Sequence, residues 1–197
     1  MLIVSFNINP GPPANATPDQ LLAFGQENFT SIMWGAWLQA VGPALIIAFA
    51  FAIVFLAGAT SKLAGWLTMF GGVLLMVVSL IEITFYIGAL SDTTATAIIS
   101  LDLIHAVQHL YFIVGAPSLF LPLGAVVLGS KILPRFLGYA ALGLGVAFGV
   151  LGVAFLYVLT LPLFVLASAG VQVFWWLATA IVLIVRTDRI SLANRSS

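Results

Sequence analysis

Two acids and two histidines stand inside otherwise apolar stretches of this chain: Glu82, Asp102, His105 and His109. Ionisable groups within a hydrocarbon-matched segment are costly and mark function by default. On a helix turning ~100° per residue, positions 102, 105 and 109 fall within about 60° of one another, with Gln108 at the edge of that face. A carboxylate and an imidazole side by side can hold or pass a proton near neutral pH. Two histidines four apart can also grip one metal ion, and Glu82 and Asp102 could complete a zinc or transition-metal site around His105 and His109. The spacing fails as a metalloprotease motif, because His105-Ala106-Val107-Gln108-His109 lacks the glutamate general base after the first histidine. It also fails as a bis-histidine haem site, since axial ligands must approach from opposite faces. A single axial histidine stays open. The cofactor is therefore unknown, with a metal ion or haem both open, and an enzyme is the less favoured class.

Depth arithmetic extends the group. Counted from the centre of the short loop 91–94, Glu82 falls opposite residues 103–105, about 12 Å below the outer surface. Gln39 and Gln172 each come about eight residues after the outer ends of their own segments. An ionisable group facing lipid is expensive, so each is expected to face inward. The expectation is one polar cluster in the outer half of a bundle, made of Gln39, Glu82, Asp102, His105, His109 and Gln172, with Tyr86 and Tyr111 as additions. Interhelical hydrogen bonding alone would also explain buried amides, and it is the favoured reading for Gln39 and Gln172.

The elements that must position these groups follow from composition. Of 197 residues, 62% are hydrophobic and 6% charged, with six Lys+Arg against six Asp+Glu and no cysteine; mean hydropathy is +1.21. Soluble domains carry about 25% charged residues, so a soluble globular fold is excluded. A disulfide scaffold and a nucleic-acid binder, which needs a basic footprint, are excluded as well. The fold class is all-α, a polytopic transmembrane helix bundle.

A crossing needs about 20 apolar residues. Four runs qualify: Ser31–Leu56, Ala64–Leu90, Phe136–Leu159 and Phe164–Val185. Between them Ala95–Gly129 contains Pro117 and Pro122 and would reach about 50 Å as a straight helix. It must tilt, kink near the prolines, start above the membrane, or break re-entrantly at Gly115-Ala116-Pro117. Crossing once, it puts Lys62, Lys131, Arg135, Arg186, Arg189 and Arg195 on one face; crossing twice leaves Lys62 alone opposite the rest. Basic residues collect on the cytoplasmic side, and Asp19, Glu27 and Asp92 then lie outside. The expectation is five spans, six being the alternative, with the N-terminus out and the C-terminus in, in a cytoplasmic (inner) membrane. Residues 1–30 form an extracytoplasmic tail with a short interfacial helix capped by Thr17 with Pro18 at its first position; residues 31–190 form the bundle and 191–197 a cytoplasmic tail. Trp34, Trp37 and Trp66 sit where aromatic belts anchor helix ends.

Gly138, Ala141, Gly145, Gly149 and Gly152 share one stripe, and Gly145-x-x-x-Gly149 is a small-residue contact motif for close helix packing. Gly71-Gly72 is its candidate counterpart or a flexible point. The stretch Leu128-Gly129-Ser130-Lys131-Ile132-Leu133-Pro134-Arg135-Phe136-Leu137-Gly138, followed by a glycine-rich helix, resembles a cytoplasmic turn in a family of small bacterial multi-pass membrane proteins of unknown function. That family places a further span first. The resemblance implies a bacterial membrane protein and brings no activity, cofactor or catalytic residue.

Three functions fit these readings. The lead is a pocket for a proton, cation or small ligand, serving transport or sensing. The second is a non-catalytic accessory or assembly subunit of a membrane complex, whose partners are the lipid bilayer and a second copy or another membrane protein. The third is a metal-dependent, membrane-embedded enzyme.

Overall fold

The computed structural model describes residues 17–90, 93–155 and 162–195. Among them there is no strand. The helices are α1 (Pro18–Glu27), α2 (Phe29–Leu56), α3 (Leu63–Ala89), α4 (Thr94–Leu110), α5 (Ala116–Leu128), α6 (Arg135–Phe155) and α7 (Pro162–Arg195). Four segments are long and apolar enough to cross a membrane: Phe29–Leu56, Leu63–Ala89, Ala106–Leu128 and Arg135–Ala154. Within α7, Gly170–Arg186 is a shorter apolar stretch. Large apolar side chains such as Phe55, Leu63, Phe70 and Phe174 are exposed on the outside, as a lipid-facing surface requires. Trp34, Trp37 and Trp66 are exposed as well.

Local sequence explains the helix ends. Thr17 caps α1 reciprocally: its hydroxyl accepts from the Gln20 N–H, and the Gln20 side chain accepts from the Thr17 N–H at 2.8 Å. Pro18 occupies the first helical position, where its missing N–H costs nothing. α2 ends at Gly58, whose φ of 59° is left-handed. There the Gly58 N–H reaches Phe55 O and the Ala59 N–H reaches Val54 O, both at 3.0 Å. These are the paired bonds of a Schellman stop, and Ala59 packs on Val54 and Val126 as such a stop favours.

α4, Tyr111–Gly115 and α5 form one continuous rod. The chain does not reverse or break at Gly115-Ala116-Pro117, which corrects the re-entrant alternative. Instead Tyr111–Gly115 is a π-turn, closed by the Ala116 N–H on Tyr111 O. A π-turn inserts a wider loop into the ladder just ahead of Pro117, which has no N–H to give. The rod thereby absorbs its proline without folding back.

The α5 half of this rod is the centre of the bundle. Ala116, Leu119, Phe120, Leu123 and Val127 are fully buried. On one side it meets α3, where a Cβ on Gly71 would run into the Ser118 backbone. On the other side it meets the stripe on α6. A Cβ on Gly145 would come 2.7 Å from Leu121 Cγ, and one on Gly152 would come 2.9 Å from the Ile113 N. The stripe's partner is thus this same chain, and Gly71-Gly72 is not its counterpart. Gly71 grips the opposite side of the rod, while Gly72 faces Ile47 and Phe51 of α2. α7 closes the core with Trp175 and Trp176, which stack edge-on against each other and against or near Phe120.

Charge separates by end. The Val54–Ala59–Val126 contact brings the 57–62 turn beside the end of α5. Arg186 of α7 donates to Lys131 O at 3.0 Å and Ile132 O at 2.9 Å. Lys62, Lys131, Arg135 and Arg186 therefore share one end. α1, bearing Asp19 and Glu27, packs through Gly25 against Ala89 and Leu90 at the other.

Candidate functional site

The polar side chains gather on the acidic half, around Glu82 of α3. Glu82 is half-buried. Gln108 of α4 donates its Nε2–H to Glu82 Oε1 at 3.1 Å. Gln39 of α2, almost fully buried, lies near enough to the same carboxyl group to act on it as a polar neighbour. Two amides from two helices thus stand beside one acid. The phenols of Tyr86, one turn further along α3, and of Tyr111 lie within electrostatic reach of that carboxyl group. Tyr111 in turn donates its hydroxyl hydrogen to Gln172 Oε1 of α7, and Gln172 is buried.

The π-turn has a direct role here. Tyr111 is its first residue, set between a ring contact to Phe112 at 5.4 Å and one to Phe148 at 5.9 Å. The widened turn aims the phenol across the bundle at Gln172, joining α7 to a layer that otherwise spans α2, α3 and α4.

The expected cluster is assembled in part. Gln39, Glu82 and Gln172 are in the layer, as are the added tyrosines. The side chains of Asp102 and His105 lie outside the described residues. His109 is half-buried, with Gln108 about 100° round the helix from it. Among the described side chains of α4, Ala97, Ser100, Ile104 and Val107 are buried, and on the helical wheel Gln108 falls between them and positions 102, 105 and 109. Gln108, read from sequence only as an edge residue, is the side chain that meets Glu82.

Depth needs a correction as well. Glu82 lies beside Gln108, not beside 103–105. The first turn of α4, from Thr94, stands beyond the end of α3 at Ala89, so the register is displaced from the middle of the loop. Gly88 accordingly meets Ser100, and Gly115 meets Leu75. Side chains also lean toward their own helix N-terminus, so in an antiparallel pair Glu82 reaches down and Gln108 reaches up.

Among the described residues no group of three or more His, Asp or Glu stands close enough to hold a metal ion. A scan against family models and searches of curated proteins and of solved structures find no match. Fold and site together define a class: an α-helical membrane bundle with a polar layer across its interior.

Proposed function

We propose that this chain is a five-span protein of a cytoplasmic (inner) membrane whose Glu82-centred layer binds a proton, a cation or a small polar ligand, in the service of transport or sensing. The N-terminus lies outside and the C-terminus inside, with α1 on the outer interface. The gathering of Lys62, Lys131, Arg135 and Arg186 at one end supports that orientation, as does the placement of Asp19 and Glu27 at the other. The layer then falls in the outer half of the bundle, open to ligands from outside. The observation that carries the reading is the hydrogen bond from Gln108 to an intramembrane carboxyl group, with Gln39 beside it. Polar residues so placed mark ion and substrate pathways. Asp102, His105 and His109 complete the ligand set in this reading, as groups that titrate or coordinate.

A second reading has its own support. Glu82 with Gln108, and Tyr111 with Gln172, hydrogen-bond between helices as interhelical glue does. An accessory or assembly subunit needs no more. A metal-dependent enzyme requires His105 and His109 to bind metal with help from the bundle.

Elemental analysis and an absorption spectrum of protein purified in mild detergent come first; a stoichiometric metal or haem moves the working model to the third reading. Thermal stability in detergent with added Na⁺, K⁺ or Zn²⁺, and proton flux into vesicles carrying a pH-sensitive dye, then test the pocket. The wild type responds to at least one probe, and the Glu82→Gln, His105→Ala pair inserts normally but loses the response. A wild type as silent as the paired variant sinks the pocket in favour of the subunit.

A further inference from the structure

Two buried donors on α7 have no protein partner among the described residues: the Trp176 indole Nε1 and the Thr179 hydroxyl Oγ1. Trp176 is 8% exposed and Thr179 0%. They lie three apart on one helix, hence on one face and a turn from each other. Among the described side chains of that helix, Gln172, Trp175, Trp176 and Thr179 are the buried ones. Phe49 of α2 and Phe120 of α5 wall the Trp176 ring at 5.9 and 5.5 Å, and Trp175 stands 4.7 Å away.

The neighbouring indole shows the contrast. Trp175 donates its Nε1–H to Leu137 O at 2.9 Å. Burying such a donor without a partner is costly, more so where no bulk water reaches. In a helix a threonine hydroxyl can bond back to a carbonyl one turn earlier, as Thr68 does to Ala64 O at 2.8 Å; Thr179 does not.

We infer that Trp176 Nε1 and Thr179 Oγ1 form a second intramembrane site, which holds an internal water molecule. The chemistry selects the occupant. The indole N–H only donates, so the occupant must accept, which rules out a bare cation. The threonine hydroxyl both donates and accepts, and water can satisfy both groups at once. Phe49, Phe120 and Trp175 crowd the indole, which favours a small occupant, and a neutral one, because burying a charge costs far more than burying a neutral polar group. Buried waters characteristically make two to four such bonds. The site lies one to two turns along α7 from Gln172 toward Arg186, so it carries polar contact past the Glu82 layer toward the basic end. It goes beyond the proposed pocket and does not depend on it.

The test is NMR on the full chain in detergent micelles with ¹⁵N-labelled tryptophan, reading cross-peaks between indole protons and water. Trp176→Phe assigns the resonance, and Trp175 is the internal dry control. The Trp176 indole shows a water cross-peak that Thr179→Ser keeps and Thr179→Val removes, and Thr179→Val lowers Tm by about 2–4 °C. The inference is overturned by a Trp176 indole without a water cross-peak. It is equally overturned if Thr179→Val keeps that cross-peak, or raises Tm by deleting a hydroxyl that had no partner. Should Thr179→Val not fold, the wild-type and Thr179→Ser spectra decide between the same outcomes. Glu82→Gln leaves the cross-peak in place, so failure of this site and failure of the Glu82 pocket are told apart.

Discussion

Along the rod from Thr94 to Leu128, the α5 half meets glycines of α3 and α6, while the α4 half, beside its contact between Ser100 and Gly88, carries the hydrogen bonds to other helices. Around α5, Gly71 abuts the Ser118 backbone and Gly145 lets Leu121 in. Nothing polar is needed, and closeness itself supplies the dispersion energy. Around α4 and the π-turn, Gln108 bonds Glu82 and Tyr111 bonds Gln172. Each such interhelical bond in a membrane is worth only about 0.6 kcal/mol on average. The lesson is a division of labour within one helix. One half holds the bundle together by shape, and the other keeps polar groups whose contribution to stability is small. The π-turn is the boundary between them.

The strongest way to break that comparison is to fill the glycine side. Gly71→Ala forces a methyl group into the Ser118 backbone, where no flexible side chain can give way. Its cost should lie at the upper end of overpacking, about 3 kcal/mol, read as the unfolding midpoint in detergent and SDS. A loss below about 1 kcal/mol would mean that α3 and α5 slide apart easily and that shape does not hold this half. Gly58→Ala comes next. A methyl there meets nothing, so only the left-handed backbone resists, costing about 1–2 kcal/mol. The same melt separates the two effects, because Gly58→Asn should recover part of the loss and Gly71→Asn should recover none.

How much of this was legible from the residues differs along the same line. Hydropathy located Phe29–Leu56, Leu63–Ala89 and the stretch from Thr94 to Leu128 to within a few residues, because apolar runs leave little choice in a bilayer. The last helix runs to Arg195, well past the expected end at Val185, and the expected end of the fourth run at Leu159 lies outside the described residues. Thr17 and Pro18 announced α1 through local hydrogen bonding alone. The glycine stripe was visible as a stripe. Its partner was not, since a small-residue face says how closely something approaches and not what. In the polar layer, sequence named Gln39, Glu82 and Gln172 because polar residues are conspicuous in apolar runs. It missed the bond to Gln108 for two reasons. The first turn of α4 stands beyond the end of α3, which shifts the register. The inward face of α4 was assigned from the cost of its ionisable residues alone, without weighing Ala97, Ser100, Ile104 and Val107, which are buried. That pattern of small and branched residues at helical spacing was the available signal. The π-turn had a pointer in Pro117, whose ring forbids a regular ladder, but nothing local distinguishes a π-turn from a kink.

Tyr111→Phe tests the other half of the rod. It keeps the ring contacts with Phe112 and Phe148 and removes one hydrogen bond, leaving the buried Gln172 without its donor. The expected loss is about 1 kcal/mol, and the double variant Tyr111→Phe, Gln172→Leu should recover some of it, since replacing both partners by apolar groups can be nearly neutral. A loss as large as that of Gly71→Ala would erase the contrast between the halves and make the π-turn phenol a structural keystone.

The smallest expected change in stability belongs to Glu82→Gln. The substituted amide has the same shape, and its carbonyl oxygen can still accept from Gln108, so the melt should move by less than about 1 kcal/mol. What the change deletes is the ability to carry charge or a proton. If the layer is a ligand site, this variant inserts and melts like the wild type while losing the response to cations or to an imposed proton gradient. If the layer is glue, both measurements stay where they were. A large fall in stability would be the informative surprise, because a neutral isostere can destabilise so much only if the charge of Glu82 is itself held by a partner that the amide cannot satisfy. Asp102, His105 and His109 are the residues to vary next in that case: removing the histidine that neutralises Glu82 in the wild type should then rescue Glu82→Gln, whereas it would leave a glue-only layer unchanged.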